Sequence, residues 1–413
     1  MVCSASESSE DEGMEGYRKG GYHAARIGDR FAAGRYVAQR KLGWGNFSTV
    51  WLAYDTLCSR YVAIKIQKSA KEYAESALHE IDLLSSIAQG DDSKSKCVIQ
   101  LLDHFKHSGP NGQHYCLATE FLGDSLLKLI RYNRKKGIGL HRVRQISKSV
   151  LSGLDYLHRE LGIIHTDLKP ENVLLVSTID PTKDPTRTGL PPILERPEGN
   201  PDHFKRVNFG DKWLKIRAKR AVAKISQRRV SLGGVMEMDN RSLEGVDLQC
   251  KIVDFGNAVR GNEELMEEIQ TREYRAPEVV IGSGYSFSAD MWSFACLVFE
   301  LATGDTLFAP MASDDFTEDE DHLAQMMELL GKMPKKIAVA GSRSKDYFDR
   351  HGDLKRIRRL KFRPMDSLLV DKYHFTETDA HGLSNFLCPL LDFEPEKRPT
   401  ASQCLVHQWI TGS

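Results

Sequence analysis

The sequence carries no net charge and contains no long apolar run. Its 57 lysines and arginines equal its 57 aspartates and glutamates. This balance leaves no overall field of the kind that draws a protein to nucleic acid or to an anionic membrane. The most apolar stretch, from Trp292 to Leu301, includes Glu300 and is too short to span a bilayer. We therefore expect no direct nucleic-acid partner and no membrane segment.

A cysteine pattern is also lacking. The eight cysteines are scattered along 413 residues, and no two of them form a C-x-x-C motif. This spacing predicts reduced thiols in an intracellular protein rather than a disulfide framework. Residues 1–16 are rich in Ser and Glu with almost nothing apolar, so we expect a disordered acidic tail and no signal peptide.

What the sequence does contain is a polar loop suited to phosphoryl transfer. His165-Thr166-Asp167-Leu168-Lys169-Pro170-Glu171-Asn172 follows a helix-like run and precedes a strand-like run. Asp167 can accept a hydroxyl proton there, Lys169 can meet the charge of a γ-phosphoryl group, and Asn172 can help hold a metal. The spacing matches H-x-D-x-x-x-x-N, the catalytic loop of protein kinases. Taken alone, a solvated polar loop is the alternative.

A glycine-containing hairpin lies upstream. Strand-like runs at 36–42 and 49–54 bracket the segment Gly43-Trp44-Gly45-Asn46-Phe47-Ser48. Glycines in such a hairpin let the backbone approach a polyphosphate closely. Ser48 stands where a phosphate-binding loop has its third glycine, so an ordinary hairpin turn is the alternative.

Lys65 lies inside an apolar strand, Tyr61 to Ile66, where a lysine is unfavourable unless it is paired. Glu80, in the helical run from Tyr73 to Ile87, is the expected partner. Val-Ala-Ile-Lys followed by a helical Glu is the arrangement by which kinases bring an ammonium to the α- and β-phosphates. For an isolated strand lysine, snorkelling at a sheet edge is the alternative.

Further kinase signals follow in the expected order. The strand-like run 114–121 ends where a hinge between two lobes belongs, with Thr119 beside an adenine pocket. Asp254-Phe255-Gly256 presents a carboxylate that can bind Mg²⁺. Thr271 precedes Ala276-Pro277-Glu278, at the position where serine/threonine kinases place a threonine that contacts the catalytic Asp and Lys.

Residues 177–249 break this pattern. The stretch opens with six prolines between 181 and 201 and continues through a basic block, 205–229, with ten Lys or Arg and one acid. We interpret it as a spacer insert looped out of the domain, of the functional or disordered kind. The basic block is read as a nuclear-import signal, an interaction arm or a merely solvated face.

The ordered motifs together predict an α+β fold, the bilobal protein kinase fold. The domains are a small β-rich N-lobe at 17–122 and a large helical C-lobe at 123–176 and 250–411, split by the insert. Arg398 is expected to pair with Glu278. We expect a live enzyme, because Lys65, Asp167 and Asp254 are all present.

Several stretches resemble the SR-protein kinases, which phosphorylate serines in Arg-Ser repeats of splicing factors. The matching segments are 15–23, 27–29, 42–50, 165–167, 254–258, 270–272 and 328–332. The resemblance covers about residues 15–176 and 250–411, and a split kinase domain is a habit of that family. The LAMMER dual-specificity kinases are the alternative, since 322–328 is similar to their signature, and a non-catalytic scaffold that binds SR tails is a second one.

The resemblance implies ATP and Mg²⁺ as cofactors. It implies that Asp254 and Asn172 hold Mg²⁺, and that Asp167, Lys169 and Thr271 form the catalytic group. The implied ATP-binding residues are Leu42, Gly43, Trp44, Gly45, Asn46, Phe47, Ser48, Thr49, Val50, Ala63, Lys65, Glu80, Thr119, Glu120, Leu122 and Leu174.

An acidic stretch is the expected docking site for Arg-rich substrate. Eight acids and no Lys or Arg lie between Asp305 and Glu328. By resemblance, Asp305, Asp321 and Glu328 are docking carboxylates, and Lys372 lines the same groove. Asp321 and Glu328 are seven residues apart, so a helix starting near Asp321 would present both on one face.

Two departures from the family pattern affect the expected handling of phosphorylated substrate. Glu318 stands where relatives often carry Arg, and Arg363 where they often carry Trp.

Thr166 replaces the Arg that pairs with an activation-loop phosphate in most regulated kinases, so we expect constitutive activity. We further expect a monomer, in cytoplasm and nucleus, with SR splicing factors as substrates and chaperone or import partners for the insert.

Overall fold

The structure is a computed structural model that describes residues 13–89, 97–133, 136–196, 243, 245–261 and 268–412. Within these ranges it has two lobes, a sheet-based N-lobe and a helical C-lobe, as the sequence predicts. No helix in the described ranges is long and apolar enough to cross a membrane. The expected acidic tail, apart from residues 13–16, lies outside the described residues.

The N-lobe is one antiparallel sheet in the order β1-β2-β3-β4-β6-β5. Its strands are β1 (Arg30–Phe31), β2 (Tyr36–Trp44), β3 (Ser48–Asp55), β4 (Arg60–Gln67), β5 (Leu101–Gly109) and β6 (Gly112–Glu120). In β4, the alternate residues Val62, Ile64 and Ile66 are fully buried. Because successive side chains point to opposite faces of a sheet, Ala63 and Lys65 face the other side.

Helix α1 (Lys71–Gln89) packs against this sheet with a face that includes Glu80. Four more strands form two short antiparallel pairs in the C-lobe. They are β7 (Ile163–Ile164) with β10 (Val259–Arg260), and β8 (Val173–Leu175) with β9 (Cys250–Ile252). The predicted insert therefore connects two adjacent strands, because Leu175 on β8 pairs with Cys250 on β9.

The C-lobe is built around helix α5 (Ser288–Thr303), which is buried on all sides from Ala289 to Thr303. A helix that is apolar all round belongs at the centre of a large core. The other helices are α2 (Leu126–Tyr132), α3 (Leu140–Asp155), α4 (Pro277–Ile281), α6 (Glu318–Leu330), α7 (Lys335–Ala338), α8 (Ser344–Tyr347), α9 (Met365–Tyr373), α10 (Glu377–Leu387), α11 (Ala401–Leu405) and α12 (Gln408–Thr411).

Short helical turns join these elements. They include a one-turn π-helix at Tyr156–Glu160. The 3-10 helical turns are Met14–Gly16, Ala32–Gly34, Pro170–Asn172, Pro181–Lys183, Arg272–Tyr274, Cys388–Leu391 and Pro395–Lys397. The turn at Pro170–Asn172 matters most for function, because it connects the catalytic loop to β8.

The beginning of the predicted insert is not looped out. Gln39 on β2 donates from Nε2 to the Ile193 carbonyl and accepts from the Ile193 N–H, both at 2.8 Å. Arg196 pairs with Asp29 at 2.6 Å, and Arg40 donates to the Lys183 carbonyl at 2.6 Å. Residues 183–196 therefore lie along the N-lobe. The physical reason is that β1 pairs with β2 only at Tyr36 and Val37. Beyond them, the side chains of Gln39 and Arg40 bond the backbone of this extended segment.

The far end of the insert is also attached. Leu243 and Leu248 are buried in the C-lobe core, at 5% and 4% exposure. The basic block predicted at 205–229 lies outside the described residues. The segment that remains as a candidate spacer is therefore shorter than the predicted 177–249.

Candidate active site

Asp167, Lys169 and Thr271 form one hydrogen-bonded cluster. Lys169 Nζ donates to Asp167 Oδ2 at 2.8 Å and to Thr271 Oγ1 at 2.7 Å. The Thr271 hydroxyl donates to the other carboxylate oxygen of Asp167, also at 2.7 Å. Asn172 joins the cluster by donating from Nδ2 to the Asp167 carbonyl at 2.9 Å. The carboxylate is thus oriented from several sides, as a general base requires.

The backbone of this loop is held by Asp290 on α5. Its fully buried carboxylate accepts from the N–H groups of His165 and Thr166 at 2.8 and 2.9 Å. His158 Nε2 lies 2.8 Å away. Burial opposes ionisation, but the hydrogen bond from His158 and the neighbouring imidazoles hold the pKa of Asp290 below its usual value.

Thr166 has a left-handed backbone, φ 68°, and its hydroxyl donates to the Asn257 carbonyl at 2.8 Å. A non-glycine residue in this conformation is strained and persists only where its surroundings fix it. The two N–H bonds to Asp290 and the contact with Asn257 provide that support. The catalytic loop is therefore tied both to α5 and to the segment after Asp254-Phe255-Gly256.

Lys65 joins the two lobes. Its Nζ lies 2.7 Å from Glu80 Oε1 and 2.9 Å from Asp254 Oδ1. Burial disfavours the ammonium, but the carboxylates of Glu80 and Asp254 more than offset it and raise the pKa of Lys65. Lys65 in turn lowers the pKa of Asp254. Both shifts favour the charged forms of Lys65 and Asp254, as phosphate and metal binding require.

Gln67 was not singled out from the sequence, although it belongs to this network. Its buried Nε2 donates to Glu80 Oε2 at 3.1 Å, so both oxygens of Glu80 are bonded. The sequence signal that could have identified Gln67 is its position, two residues after Lys65 in an apolar strand. Because side chains alternate across a strand, Gln67 and Lys65 lie on the same face.

The glycine hairpin connects β2 and β3 and closes with a bond from the Gly45 N–H to the Ser48 carbonyl at 2.9 Å. Ser48 and Thr49 are buried, whereas Leu42, Trp44 and Phe47 are exposed. Gly43, Asn46 and Val50 complete the loop and its flanks. Exposed apolar side chains beside an open backbone hairpin indicate a surface that a ligand can cover.

The predicted adenine region lies beside this hairpin. Thr119 on β6 faces Ala63 on β4 in register and is buried. The Glu120 side chain accepts from Lys251 Nζ at 2.6 Å and from the Gln100 N–H at 2.9 Å, which fixes the hinge to the C-lobe. Leu122 is buried next to it, and Leu174 lies on β8 below.

The residues proposed to hold magnesium suit that ion. Asp254 and Asn172 offer carboxylate and amide oxygens, which a hard cation prefers. Asp254 has φ 67°, and its side chain is half exposed while Lys65 binds one oxygen. Within the described ranges, no three or more His, Cys, Asp or Glu residues are arranged to cage a metal. Mg²⁺ fits this arrangement, because it commonly uses one or two protein ligands and completes its shell with phosphates and water.

Asp305, Asp321, Glu328 and Lys372 are the residues that the sequence predicts to dock substrate, and we call them the docking surface. Lys372 Nζ and the Tyr373 hydroxyl both bond Asp305 Oδ2, at 3.2 and 3.1 Å. Asp321 accepts from the Met311 N–H at 2.9 Å, and Glu328 accepts from the Lys361 N–H at 2.8 Å. Asp321 and Glu328 lie on α6, so the predicted helix is present.

The two departures from the family pattern have local partners. Arg272, next to Thr271, pairs with Glu318 at 3.5 Å and also contacts Asp319. Arg363 pairs with Asp371 at 3.6 Å. Glu318 therefore neutralises a cation close to Asp167 instead of adding one.

This arrangement is that of a protein kinase. It combines the lysine–glutamate pair of Lys65 and Glu80, a base held by a lysine and a threonine, and a glycine hairpin in the N-lobe. The protein kinase domain model matches residues 36–183 and 239–410.

The chain is 43% identical to the serine/threonine-protein kinase SRPK of Physarum polycephalum over 97% of this chain and 92% of that protein. It is 38% identical to protein kinase dsk1 of Schizosaccharomyces pombe over 97% of this chain and 85% of that protein. It is 34% identical to SRSF protein kinase 3 of Homo sapiens over 98% of this chain and 91% of that protein. The chain belongs to the SRPK family of serine/threonine protein kinases.

Proposed function

We propose that this kinase uses ATP and Mg²⁺ to phosphorylate serines in Arg-Ser-rich segments of SR splicing factors. The observation that carries the proposal is the docking surface, whose three carboxylates lie on the same lobe as the catalytic loop. Carboxylates accept bidentate hydrogen bonds from arginine, which an Arg-Ser repeat supplies at regular spacing. The printed name of the human relative, an SRSF protein kinase, supports the same substrate class.

The geometry of the cluster supports the catalytic roles that we propose. Asp167 accepts the proton of the substrate serine, and its orientation is fixed by Thr271 and Lys169. Lys169 also offsets the charge of the phosphoryl group during transfer. Magnesium-bound ATP supplies the phosphoryl group. Lys65 binds its phosphates, Glu80 keeps Lys65 in place, and Asp254 and Asn172 are the metal ligands.

We assign the adenine base of ATP to the apolar residues beside the glycine hairpin and to the hinge between the lobes. The base would be held between Leu42, Val50, Ala63 and Leu174. The Glu120 and Leu122 backbones would hydrogen-bond it, and Thr119 would lie at the back of the pocket. The hinge is stiffened by the Glu120–Lys251 pair, so little ordering is needed on binding.

We further propose that activity does not depend on activation-loop phosphorylation. Thr166 cannot pair with a phosphate as an arginine would, and its hydroxyl is already bonded to Asn257. The stretch 257–270 contains no Ser, Thr or Tyr. The Lys65–Glu80 pair, which regulated kinases assemble on activation, is present in the unphosphorylated chain.

Without loop phosphorylation, we propose that cellular location and binding partners regulate the kinase. We propose that the part of the insert beyond residue 196 binds chaperone or import partners and sets the distribution between cytoplasm and nucleus. The enzyme acts as a monomer, without direct contact to nucleic acid or membrane. The basic block in the sequence of the insert supports an import role.

Steady-state kinetics on an RS-repeat peptide, compared with a mixed Ser, Thr and Tyr peptide panel, tests the proposed substrate class. We expect kcat/KM for the RS peptide to exceed the rest by about a hundredfold or more, and the Asp167→Asn variant to lose about a hundredfold or more in kcat. Comparable rates on tyrosine peptides would favour a dual-specificity kinase. Binding of RS peptide without any phosphotransfer would favour a scaffold.

A further inference from the structure

The segment before the first strand reaches the glycine hairpin. The hydroxyl of Tyr22 donates a hydrogen bond to the Gly45 carbonyl at 2.7 Å, across 23 residues of sequence. Tyr22 is buried, with 4% of its surface exposed. Gly45 has no side chain to restrict it, so a tether from outside the hairpin limits the conformations that it can adopt.

Two glycines allow Tyr22 to sit there. A Cβ on Gly16 would lie 2.7 Å from the Tyr22 ring, and a Cβ on Gly21 would lie 2.0 Å from the Gly16 carbonyl oxygen. The Tyr22 N–H donates to that same Gly16 carbonyl at 2.9 Å. Residues 16–22 therefore form a compact turn that presents the hydroxyl toward Gly45.

The same turn is fixed to the start of α1. The N–H groups of Ser69 and Ala70 donate to the Gly21 and Gly20 carbonyls at 3.2 and 2.9 Å. Lys68 Nζ lies 4.4 Å from the centre of the Tyr22 ring, within cation–π range. Since α1 carries Glu80, the turn connects the glycine hairpin to the helix that positions Lys65.

We propose that Tyr22 is a positioning residue for nucleotide binding, which holds the Gly45 carbonyl and thereby orders the glycine hairpin before ATP arrives. The inference rests on the proposed ATP site. In a trans peptide the carbonyl and the next N–H point in opposite directions. Holding the Gly45 carbonyl toward Tyr22 therefore turns the Asn46 N–H away from Tyr22. An ordered hairpin loses less conformational entropy when it closes on a phosphate.

The test is Tyr22→Phe, which removes only the hydroxyl. We expect ATP and ADP to bind about three- to tenfold more weakly in calorimetric titrations, the loss that one hydrogen bond of this kind produces. The KM for ATP should rise by a similar factor, while kcat at saturating ATP and the KM for peptide stay within about twofold. In the nucleotide-free enzyme, hydrogen exchange should accelerate in a peptide covering 42–48.

Tyr61→Phe is the matched control. The Tyr61 hydroxyl also bonds a backbone carbonyl, that of Leu190 at 3.4 Å, but this contact is exposed and away from the hairpin. Tyr61→Phe should leave nucleotide affinity and exchange at 42–48 unchanged. Unaltered affinity and exchange in Tyr22→Phe would overturn the inference. So would faster exchange throughout the N-lobe, because Tyr22 would then be a general structural residue. Failure of the wild-type enzyme to bind nucleotide would instead overturn the proposed ATP site.

Discussion

Arg398 and Glu278 form a two-bond ion pair in which both side chains are completely buried. The guanidinium donates to the two carboxylate oxygens at 2.6 and 2.7 Å. It also donates to the Asp392 and Ser288 carbonyls at 2.8 and 3.0 Å, so four of its five N–H groups have partners in these bonds. The pair joins α4, just after the segment that contains Thr271, to the C-terminal part of the lobe. The pairing predicted from the sequence is confirmed.

Removing one member of this pair should destabilise the C-lobe strongly. In Arg398→Met, Glu278 would be a buried charge without a partner, which costs about 3–5 kcal/mol. Urea denaturation followed by fluorescence measures the loss. Lys397→Met is the control, because Lys397 is exposed and its partner Glu394 keeps a second cation, Lys336, so the loss should be small. A loss for Arg398→Met as small as that of the control would contradict the expected role of the pair.

Lowering the pH should destabilise the N-lobe, because His23 binds a proton more readily in the unfolded state than in the folded state. Burial, together with His107 and His114, lowers the pKa of His23 to about 4, while Asp29 opposes the shift. The unfolded state therefore binds more protons than the folded state between pH 4 and the usual histidine value near 6.5. The stabilising effect of the neutral ring is complete above about pH 6.5 and is lost as the pH falls toward 4.

His23→Phe tests this expectation, since a phenyl ring can replace the contact of His23 with Phe31. His23 alone should lower the wild-type free energy of unfolding by on the order of 2 kcal/mol from pH 7 to pH 4.5, so the variant should show a distinctly shallower slope. His322, whose pKa burial lowers to about 3, lies in the C-lobe and titrates over a similar window in both proteins. Parallel pH profiles for wild type and variant would mean that His23 is not the sensor.

The motifs of the active site could be found from the sequence because their chemistry lies in short, fixed spacings. Asp167, Lys169 and Asn172 occupy one loop, and Lys65 has a helical partner 15 residues later. The apolar run from Tyr61 to Ile66 predicted a strand, and β4 contains it. The roles assigned by resemblance to the nucleotide, metal and docking residues remain predictions.

Contacts between distant segments could not be predicted in this way. Nothing local to Tyr22 indicates that its hydroxyl meets Gly45, because that meeting depends on how the turn at 16–22 folds onto α1. The proline-rich start of the insert reads as a loop by composition, yet Gln39 binds it through two hydrogen bonds. Whether an extended segment leaves the domain or lies along a sheet depends on free polar groups of the sheet, which composition does not report.

The docking surface should act on long substrates only. Replacing Asp305, Asp321 and Glu328 by Asn, Asn and Gln removes charge but keeps shape. KM for a long RS substrate should rise about fivefold or more, and its binding should become less sensitive to salt. A short RS peptide without the docking segment is the control and should be unaffected. Equal losses on both substrates would mean that the substitutions had damaged the lobe.

Phosphatase treatment should leave the enzyme fully active. The stretch 257–270 contains no Ser, Thr or Tyr to accept a phosphate, and Thr166 stands in place of the arginine that would pair with one. The measurement is kcat on an RS peptide before and after treatment, with mass spectrometry to verify that phosphate is gone. A regulated kinase that is known to need its loop phosphate serves as the positive control. A large loss of kcat in this enzyme would contradict the proposal of constitutive activity.

Two deletions in the insert should behave differently. Removing 198–241 and joining the ends with a short flexible linker keeps the contacts of Ile193 with Gln39 and of Arg196 with Asp29, and it keeps Leu243 in the core. This variant should retain kcat/KM on an RS peptide within about threefold and unfold at nearly the same temperature. Removing 182–245 loses all of these contacts, and burial of a leucine alone contributes about 2 kcal/mol, so its unfolding midpoint should fall by several degrees. Restoring only 182–196 in the longer deletion should recover the part of the loss that belongs to the N-lobe. If both deletions are equally stable, the segment along β2 adds nothing to the fold, and if the shorter one abolishes activity, the spacer takes part in catalysis.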